Sequence, residues 1–337
     1  MVTFGIEEEF LLIDPLSGLP SARAAELSGK LAPSSGPAVA SSAEFLACQL
    51  EIATNICETL DEATESLLAS RSLIADAASL AGVGVALTGA APRIPEPPAE
   101  ISPTGRYMLM GEVTGAVAGE HYLNGTHIHV GIPDREAGVA ALNRIRPWLA
   151  TLAALSANSP FWRGRESNFS SWRLIHYRRW SVQGCPPHFA DAEDYDRRLA
   201  NLLETDVVLD AGHIGWAARL SQHYPTLEVR VSDAQLEARD SVLLAALVRG
   251  LVTTVLADAD RPEQDPEMLD AALWQAARSR LARSWRTSGR RLRTAATFPT
   301  FSKDWSGCTV PEPAQDASAR QWPTRAGAGW RDSFGSR

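Results

Sequence analysis

The chain has 337 residues, of which 45% are hydrophobic and 21% charged, a composition typical of a globular protein with a substantial core. Forty acidic against 32 basic residues give a formal net charge of −8, which argues against a nucleic-acid partner held by phosphate contacts. The four cysteines lie far apart without a CxxC pair, so we expect no disulfide framework and a reducing, cytoplasmic location.

We expect neither a signal peptide nor a membrane span. Three consecutive glutamates at positions 7–9 interrupt the stretch that would be apolar in a signal peptide. The most apolar window, Val242–Ala257, has 16 residues and contains Arg249, whereas a spanning helix needs about 20 apolar residues.

Turn signals and the spacing of apolar residues divide the chain into predicted elements. The predicted strands are Val2–Ile13, Val83–Thr88, Thr126–Ile132 and Thr226–Ser232, with a further apolar segment at Glu44–Ala53. The predicted helices are Leu60–Leu80, Ala137–Ala157, Asp191–Glu204, Ala234–Ala257 and Pro266–Arg286. Two stretches, Ser28–Ser42 and the proline-rich Pro92–Pro103, are predicted to be irregular. Strands scattered among helices without regular βαβ spacing predict an α+β fold with a largely antiparallel sheet.

The character of the sequence changes near its end. Residues 1–286 contain all the predicted elements and form one predicted domain. Residues 287–337 are basic, contain prolines and tryptophans, and show no apolar period. We predict that they form an irregular, partly disordered tail.

Paired acids stand on the first strand, in the segment GIEEEF. Because side chains alternate along a strand, Glu7 and Glu9 share one face, and Glu8 points to the apolar face and needs a partner there. Two carboxylates on one face repel each other, and a divalent cation such as Mg²⁺ or Mn²⁺ would remove that repulsion. A solvated acidic strand explains the same pattern.

A His-x-His pair lies between glycines in NGTHIHVGI. His127 and His129 share a strand face, so their ring nitrogens can reach one cleft. Structural, hydrogen-bonding histidines are the alternative.

Two further segments carry charged residues at strand spacing. In PTLEVRVSD, Glu228 and Arg230 share a face and could hold a cation beside a phosphate, or form an ordinary ion-pair surface. In the segment Glu44–Ala53, Glu51 shares a strand face with Gln49, and Glu44 would need a bulge or a helical turn to join them. Together these strands predict an acid-lined sheet face with arginine at its edge, as a nucleotide site with metal ions requires. The sequence has no GxxxxGK[ST] loop and no GxGxxG after a strand, so a P-loop enzyme or a dinucleotide dehydrogenase is not supported.

The chain resembles the type-2 glutamate–cysteine ligase family, the YbdK-like carboxylate–amine ligases. The resemblance covers roughly Val2–Arg278 and lies in GIEEEFLLIDPLSG, the Glu44–Glu51 segment, GRYMLM, NGTHIHVGI, RPWLATLAALSANSPFWRG, SSWR and PTLEVRVSDAQ. It implies a glutamine-synthetase-like fold, with an antiparallel sheet forming a cleft for ATP and metal and helices packed on the other face.

The resemblance also implies roles for individual residues. The implied metal ligands are Glu7, Glu9, Glu44, Glu51, His127 and Glu228. Arg173 and Arg230 would hold phosphate or the substrate carboxylate during catalysis, and His129 with Arg230 would bind ATP.

The implied reaction is ATP-dependent joining of glutamate, activated at its side chain as an acyl phosphate, to cysteine. The alternatives are the same chemistry with another amine, a non-catalytic nucleotide-binding relative, and a metal-dependent hydrolase that uses the His-x-His pair. The expected partners are small-molecule substrates and a second copy of the chain in a homodimer, and neither nucleic acid nor membrane.

Overall fold

A computed structural model describes residues 2–31, 40–96, 98–257 and 264–278. Its strands are β1 (Phe4–Ile13), β2 (Ala40–Ala43), β3 (Gln49–Ala53), β4 (Gly84–Ala86), β5 (Gly125–Gly131), β6 (Phe161–Trp162), β7 (Arg165–Glu166), β8 (Gln183–Gly184), β9 (Gly215–Trp216), β10 (Ala218–Leu220) and β11 (Thr226–Asp233). Its α-helices are α1 (Ala24–Leu31), α2 (Leu60–Ala81), α3 (Gly105–Thr114), α4 (Arg135–Ile145), α5 (Leu149–Ser156), α6 (Trp172–Tyr177), α7 (Ala192–Leu203), α8 (Ala238–Ala257) and α9 (Pro266–Arg278). Short 3₁₀ turns lie at Ala118–Glu120, Arg146–Trp148 and Ala211–His213.

The main sheet has seven strands in the order β10-β11-β5-β1-β3-β2, with β4 paired to β1. Every pairing in it is antiparallel, which confirms the predicted sheet type. The long strand β1 lies between β5 and β3, so the acids of β1 have neighbours on both sides. The acidic side chains of β1 therefore lie between those of β5 and β3.

One face of the sheet is apolar and carries the core. Phe4, Ile6 and Phe10 alternate along β1, are buried, and join Ile128 and Val130 of β5 in one cluster. Helices α4, α5 and α8 pack against strands of this sheet. The opposite face is therefore left for the polar side chains of the same strands.

The structure corrects several predicted boundaries. The single helix predicted over Ala137–Ala157 is wrong, because Pro147 lies in a 3₁₀ turn that separates α4 from α5 and cannot donate a helical hydrogen bond. The irregular stretch predicted over Ser28–Ser42 overlaps the ends of α1 and β2, and residues 32–39 are outside the described part. Helix α8 begins four residues later than predicted, and of Pro266–Arg286 only Pro266–Arg278 is described. The predicted tail, 287–337, also lies outside the described residues.

Among the described residues, α8 is long and apolar enough to cross a membrane by length and composition. An 18-residue stretch of α8 is apolar enough for a span, so the 16 residues Val242–Ala257 counted from the sequence understate the apolar stretch. Core helices pass the same test, and α8 buries Val248 and Val252 in the main hydrophobic cluster. Its contacts with β1 and β5 favour a core helix.

Candidate functional site

Four predicted ligands meet across the central strands on the polar face of the sheet. The register places Glu7 opposite His127 and Glu9 opposite Glu51. His127 Nδ1 lies 3.3 Å from Glu7 Oε2, and His127 Nε2 lies 3.6 Å from Glu9 Oε1. The alternation that predicted these shared faces is confirmed, and the strand pairing adds that the faces are adjacent.

The row continues onto β11, where Glu228 lies opposite His129. His129 Nε2 is 3.2 Å from Glu7 Oε1, and its Nδ1 is 2.9 Å from the Thr226 hydroxyl. Glu228 also forms ion pairs with two arginines, Arg230 on its own strand and Arg219 on β10, whose Nε donates to Glu228 at 2.7 Å. The buried Glu228 carboxylate is therefore shared between the histidines and two guanidinium groups.

Two groups of three side chains could each hold a cation. They are Glu7 with His129 and Glu228, and Glu7 with Glu51 and His127. In each group, one ligand atom per residue lies within 4.8 Å of the others. The Nε2 atoms of His127 and His129 are buried and form no well-aligned hydrogen bond among the described residues, although His129 Nε2 lies 3.2 Å from Glu7 Oε1. Orphaned ring nitrogens beside carboxylates fit a cation, since a metal would take both kinds of donor.

Glu44 reaches the acids from the connection between β2 and β3. Its backbone nitrogen donates to the carbonyl of Gln49 at 3.1 Å, and its carboxylate accepts a 2.9 Å hydrogen bond from the Tyr107 hydroxyl on α3. The turn required to bring Glu44 to the strand residues is therefore present. Tyr107 belongs to the GRYMLM motif, and its contact with Glu44 gives that motif a place at the site.

Burial raises the pKa of three carboxyl groups, and neighbouring carboxylates raise it further at Glu9 and Glu51. Burial, with the nearby charge of Glu44, raises the pKa of Glu9 to about 7. Burial raises the pKa of Glu44 despite the Tyr107 hydrogen bond. The pKa of Glu51 is well above its ordinary value because of burial and the charges of Glu44, Glu7 and Glu9. Such carboxyl groups would ionise fully only beside added positive charge.

The histidine side of the cluster has the opposite electrostatics. Burial, helped by Arg230, lowers the pKa of His127 to about 4, so this ring is neutral at pH 7 and able to bind a metal. Burial alone would lower the pKa of His129, but Glu7 and Glu228 outweigh it and raise that pKa. Burial alone would likewise raise the pKa of Glu7, and its interactions with the two histidines reverse the direction and lower it.

Arg173, on α6, lies at the β11 edge of the cluster. Its guanidinium donates to the carbonyl of Arg230 at 3.2 Å and stacks on the Tyr177 ring, 5.4 Å from its centroid. Arg230 Nη1 lies 3.4 Å from His127 Nδ1. An open cleft connects these groups with the acids. It is lined by Glu9, Glu44, Phe45, Gln49, His121, Leu123, His127, Arg173, Tyr177 and Arg230.

All nine predicted site residues thus lie on one face of the sheet or at its edge. Sequence reasoning missed Arg219, Tyr107 and Tyr177, which contact predicted residues from β10, α3 and α6. It predicted correctly that Glu8 needs a partner on the apolar face, and the structure identifies Arg71 of α2. Tyr107 and Arg219 contact their partners from other elements, so no local sequence pattern pairs them. Tyr177 differs, because it follows Arg173 by four residues on α6, a spacing at which helical side chains meet.

The fold is that of known ligases. It is similar to the crystal structure of a glutamate–cysteine ligase from Francisella tularensis in complex with AMP, with a TM-score of 0.60 and 14% identity over 82% of this chain and 70% of that one. The crystal structure of a bifunctional glutathione synthetase from Pasteurella multocida is also similar, with a TM-score of 0.57 and 13% identity. That match covers 82% of this chain and 41% of the synthetase. At these identities the likeness concerns the fold alone.

Sequence comparison identifies the family. The model of glutamate–cysteine ligase family 2 matches residues 3–306. The chain is 40% identical to a protein of Saccharopolyspora erythraea named "Putative glutamate–cysteine ligase 2-2", over 82% of this chain and 72% of that protein. It is also 40% identical to a Streptomyces coelicolor protein named "Putative glutamate–cysteine ligase 2", over 83% of this chain and 78% of that protein. The chain belongs to glutamate–cysteine ligase family 2, and the resemblance seen in the motifs is confirmed.

Proposed function

We propose that the protein is an ATP-dependent ligase that joins the side-chain carboxylate of glutamate to the amine of cysteine. The observation that carries the proposal is the meeting of buried carboxylates, two histidines and two arginines on one sheet face. This arrangement occurs in a chain of glutamate–cysteine ligase family 2. ATP, glutamate and cysteine are small molecules, in keeping with a cleft lined by polar and charged side chains.

The chemistry explains why ATP is needed. A carboxylate is a poor electrophile at neutral pH, because a nucleophile would add charge to an anion. Transfer of the γ-phosphoryl group to a carboxylate oxygen releases ADP and gives an acyl phosphate. The amine then forms the C–N bond, the C–O bond to phosphate breaks, and the amine nitrogen loses a proton. No covalent bond to the protein is required, so positioning and electrostatics carry the catalysis.

Mg²⁺ or Mn²⁺ fits the donors of this site. Six side chains are proposed to supply ligands, for one or more ions: Glu7, Glu9, Glu44, Glu51, His127 and Glu228. The raised pKa values of Glu9 and Glu51 and the orphaned His127 Nε2 support a bound cation there. When bound, a divalent ion would neutralise phosphate charge during transfer.

The arginines supply fixed positive charge beside the carboxylates. Arg230 and Arg173 are proposed to hold the phosphates or the substrate carboxylate, because both guanidinium groups line the cleft with Glu9 and His127. His129 is proposed to assist Arg230 in binding ATP. Arg219 shares the Glu228 carboxylate with Arg230, so Arg230 is not the only group that neutralises this carboxylate.

Phosphate release tests the proposal. ATP and Mg²⁺ are incubated with glutamate, with and without cysteine and a panel of other amines, and each product is identified by mass. Cysteine-dependent phosphate with a γ-glutamylcysteine mass is the expected result. Dependence on another amine would retain the chemistry and replace the acceptor. A folded sample that binds no ATP contradicts the ligase proposal, and ATP binding without turnover across the panel would favour a non-catalytic relative.

Site variants connect the activity to the structure. Glu7→Gln and Arg230→Ala should abolish most turnover, because each removes charge from the cluster. Glu65→Gln and Arg239→Ala are matched controls, since both side chains are exposed on helices outside the site. Full activity in Glu7→Gln and Arg230→Ala would contradict the assigned site.

Three further features belong to the proposal. Residues 1–286 are proposed as the catalytic domain and 287–337 as a tail. The family match runs to residue 306, so it extends 20 residues beyond this boundary. The activity of a chain ending at residue 286 tests the boundary. A homodimer follows from the family resemblance and is measured by light scattering. A cytoplasmic location follows from the use of ATP and a reduced thiol.

A further inference from the structure

Asp233, at the end of β11, is a buried carboxylate with three hydrogen-bond donors. It is 1% exposed. Its Oδ1 accepts from the Ser171 hydroxyl at 2.8 Å, and its Oδ2 accepts from the Ser159 hydroxyl at 2.7 Å and from the Asn158 backbone nitrogen at 2.8 Å. Gly89 leaves room for this group, since a Cβ there would lie 2.3 Å from Asp233 Cγ. A buried carboxylate with this many partners is held in one position.

The donors of Asp233 also hold the beginning of α6. Ser171 is the N-cap of that helix, and its hydroxyl accepts from the backbone nitrogen of Leu174 at 3.2 Å. The Ser159 hydroxyl accepts from the backbone nitrogen of Arg173 at 3.1 Å. Each serine therefore donates to Asp233 and accepts from α6, so one intervening hydroxyl links the carboxylate to the backbone of Arg173.

A bulge in β11 receives the side chain of Arg173. The register with β5 shifts by one residue between Val229 and Ser232, which places Arg230 and Val231 at the bulge. The guanidinium of Arg173 lies 3.2 Å from the Arg230 carbonyl and 3.5 Å from that of Val231. It also packs so closely on Gly125 that a Cβ there would lie 2.5 Å from its Nη2. The position of Arg173 is thus set at both ends, by the bulge and by the start of α6.

We propose that Asp233 is a positioning residue for Arg173, which it holds at the cleft through Ser159 and Ser171. The proposal rests on the proposed function, because there Arg173 holds phosphate or a substrate carboxylate. Asp233 itself contacts no substrate. Its negative charge also lies near the Arg173 guanidinium and favours that guanidinium's position beside β11.

A double-mutant cycle tests the proposal. Asp233→Asn keeps the shape and removes the charge, and Arg173→Lys keeps the charge and removes the planar guanidinium. We expect each single variant to lower kcat/KM for ligation at least tenfold. We expect the double variant to lie within about twofold of Arg173→Lys, because Asp233 acts through Arg173. Effects that multiply in the double variant would overturn the proposal.

Separate controls account for stability. Val248→Ala shortens a buried side chain of α8 outside the site and should lower the unfolding temperature with kcat and KM unchanged. If Asp233→Asn does not fold, Ser159→Ala replaces it, since it removes the link to the Arg173 backbone and leaves two of the three donors to Asp233. We expect a severalfold loss of kcat/KM in Ser159→Ala and no further loss when it is combined with Arg173→Lys. Ser159→Ala with the kcat/KM of the unaltered protein would overturn the proposal.

A binding measurement keeps the inference distinct from the proposed function. If the unaltered protein forms no amide with any amine, the proposed function fails, and calorimetric binding of ATP with Mg²⁺ then tests Asp233. Asp233→Asn should weaken ATP binding as much as Arg173→Lys does. ATP affinity unchanged by Asp233→Asn but weakened by Arg173→Lys would overturn the positioning role.

Discussion

The buried ion pair between Glu8 and Arg71 holds the central strand to the helices behind it. Glu8 is fully buried and accepts hydrogen bonds from Arg71 Nε at 2.9 Å and Nη2 at 2.7 Å, and from the Ser241 hydroxyl. Arg71 also donates to the carbonyls of Gln235 and Leu236, each at 2.9 Å. One guanidinium thus joins β1, α2 and the segment that leads into α8.

Replacing Arg71 by methionine would leave the Glu8 carboxylate buried with one remaining hydroxyl donor. Breaking such a pair from one side costs about 3–5 kcal/mol, because the remaining charge is neither solvated nor paired. We therefore expect Arg71→Met to lower the free energy of unfolding by that amount in urea titrations monitored by tryptophan fluorescence. Arg23→Met is the matched control, since Arg23 pairs with Glu26 on an exposed surface, and it should cost less than about 1 kcal/mol.

The double variant Glu8→Met/Arg71→Met separates charge from packing. It removes both charges, so it should unfold at a higher urea concentration than Arg71→Met alone. A loss below about 1 kcal/mol in Arg71→Met would refute the reasoning. A double variant less stable than the single variant would refute it as well, because the unpaired charge would then not be the cause.

The site gives three further predictions. Because burial raises the pKa of Glu9 to about 7, Mg²⁺ binding to chelator-treated protein at pH 7 should release protons. Calorimetry in two buffers of different ionisation enthalpy should detect these protons, and no release would contradict the cation assignment. For the same reason the Glu9 carboxyl should cost the metal-free protein stability as the pH rises from about 4.5 through 7, since its folded pKa exceeds its ordinary value. Glu9→Gln should therefore raise the melting temperature more at pH 7 than at pH 4.5, and an equal change at both pH values would contradict the raised pKa. Tyr107→Phe removes the hydroxyl that donates to Glu44 and should weaken Mg²⁺ binding about 10-fold or more in the same calorimetry. Unchanged Mg²⁺ affinity would contradict the assignment of Glu44 as a metal ligand.

Strand alternation made much of the site predictable from the sequence. Glu7 with Glu9, and His127 with His129, share faces because successive side chains on a strand point to opposite sides. This rule depends only on neighbouring residues, so it needs no knowledge of the fold. The limits of the long strands were accurate for the same reason, with β5 observed at Gly125–Gly131 against a prediction of Thr126–Ile132. The strand predicted over Val83–Thr88 was too long, since β4 covers only Gly84–Ala86.

Contacts between distant segments were not predictable in this way. Glu44 stands outside a strand, and its place depends on the connection from β2 to β3 and on Tyr107. Arg219 reaches Glu228 only because β10 pairs with β11, and β10 has three residues, too few to show a period. The bulge near Arg230 breaks the alternation that the sequence suggests. Strand order, register shifts and helix placement are properties of the whole chain, and no local pattern encodes them.

Oxygen transfer from glutamate to phosphate is the signature of carboxylate activation by ATP. Glutamate labelled with ¹⁸O in its side-chain carboxylate is incubated with the enzyme, ATP, Mg²⁺ and cysteine, and the released phosphate is analysed by mass. We expect one ¹⁸O atom in each phosphate, because the acyl phosphate gives up a carboxylate oxygen when the amine attacks. Phosphate released without label, in a sample that forms the amide, would contradict activation of the carboxylate by phosphorylation.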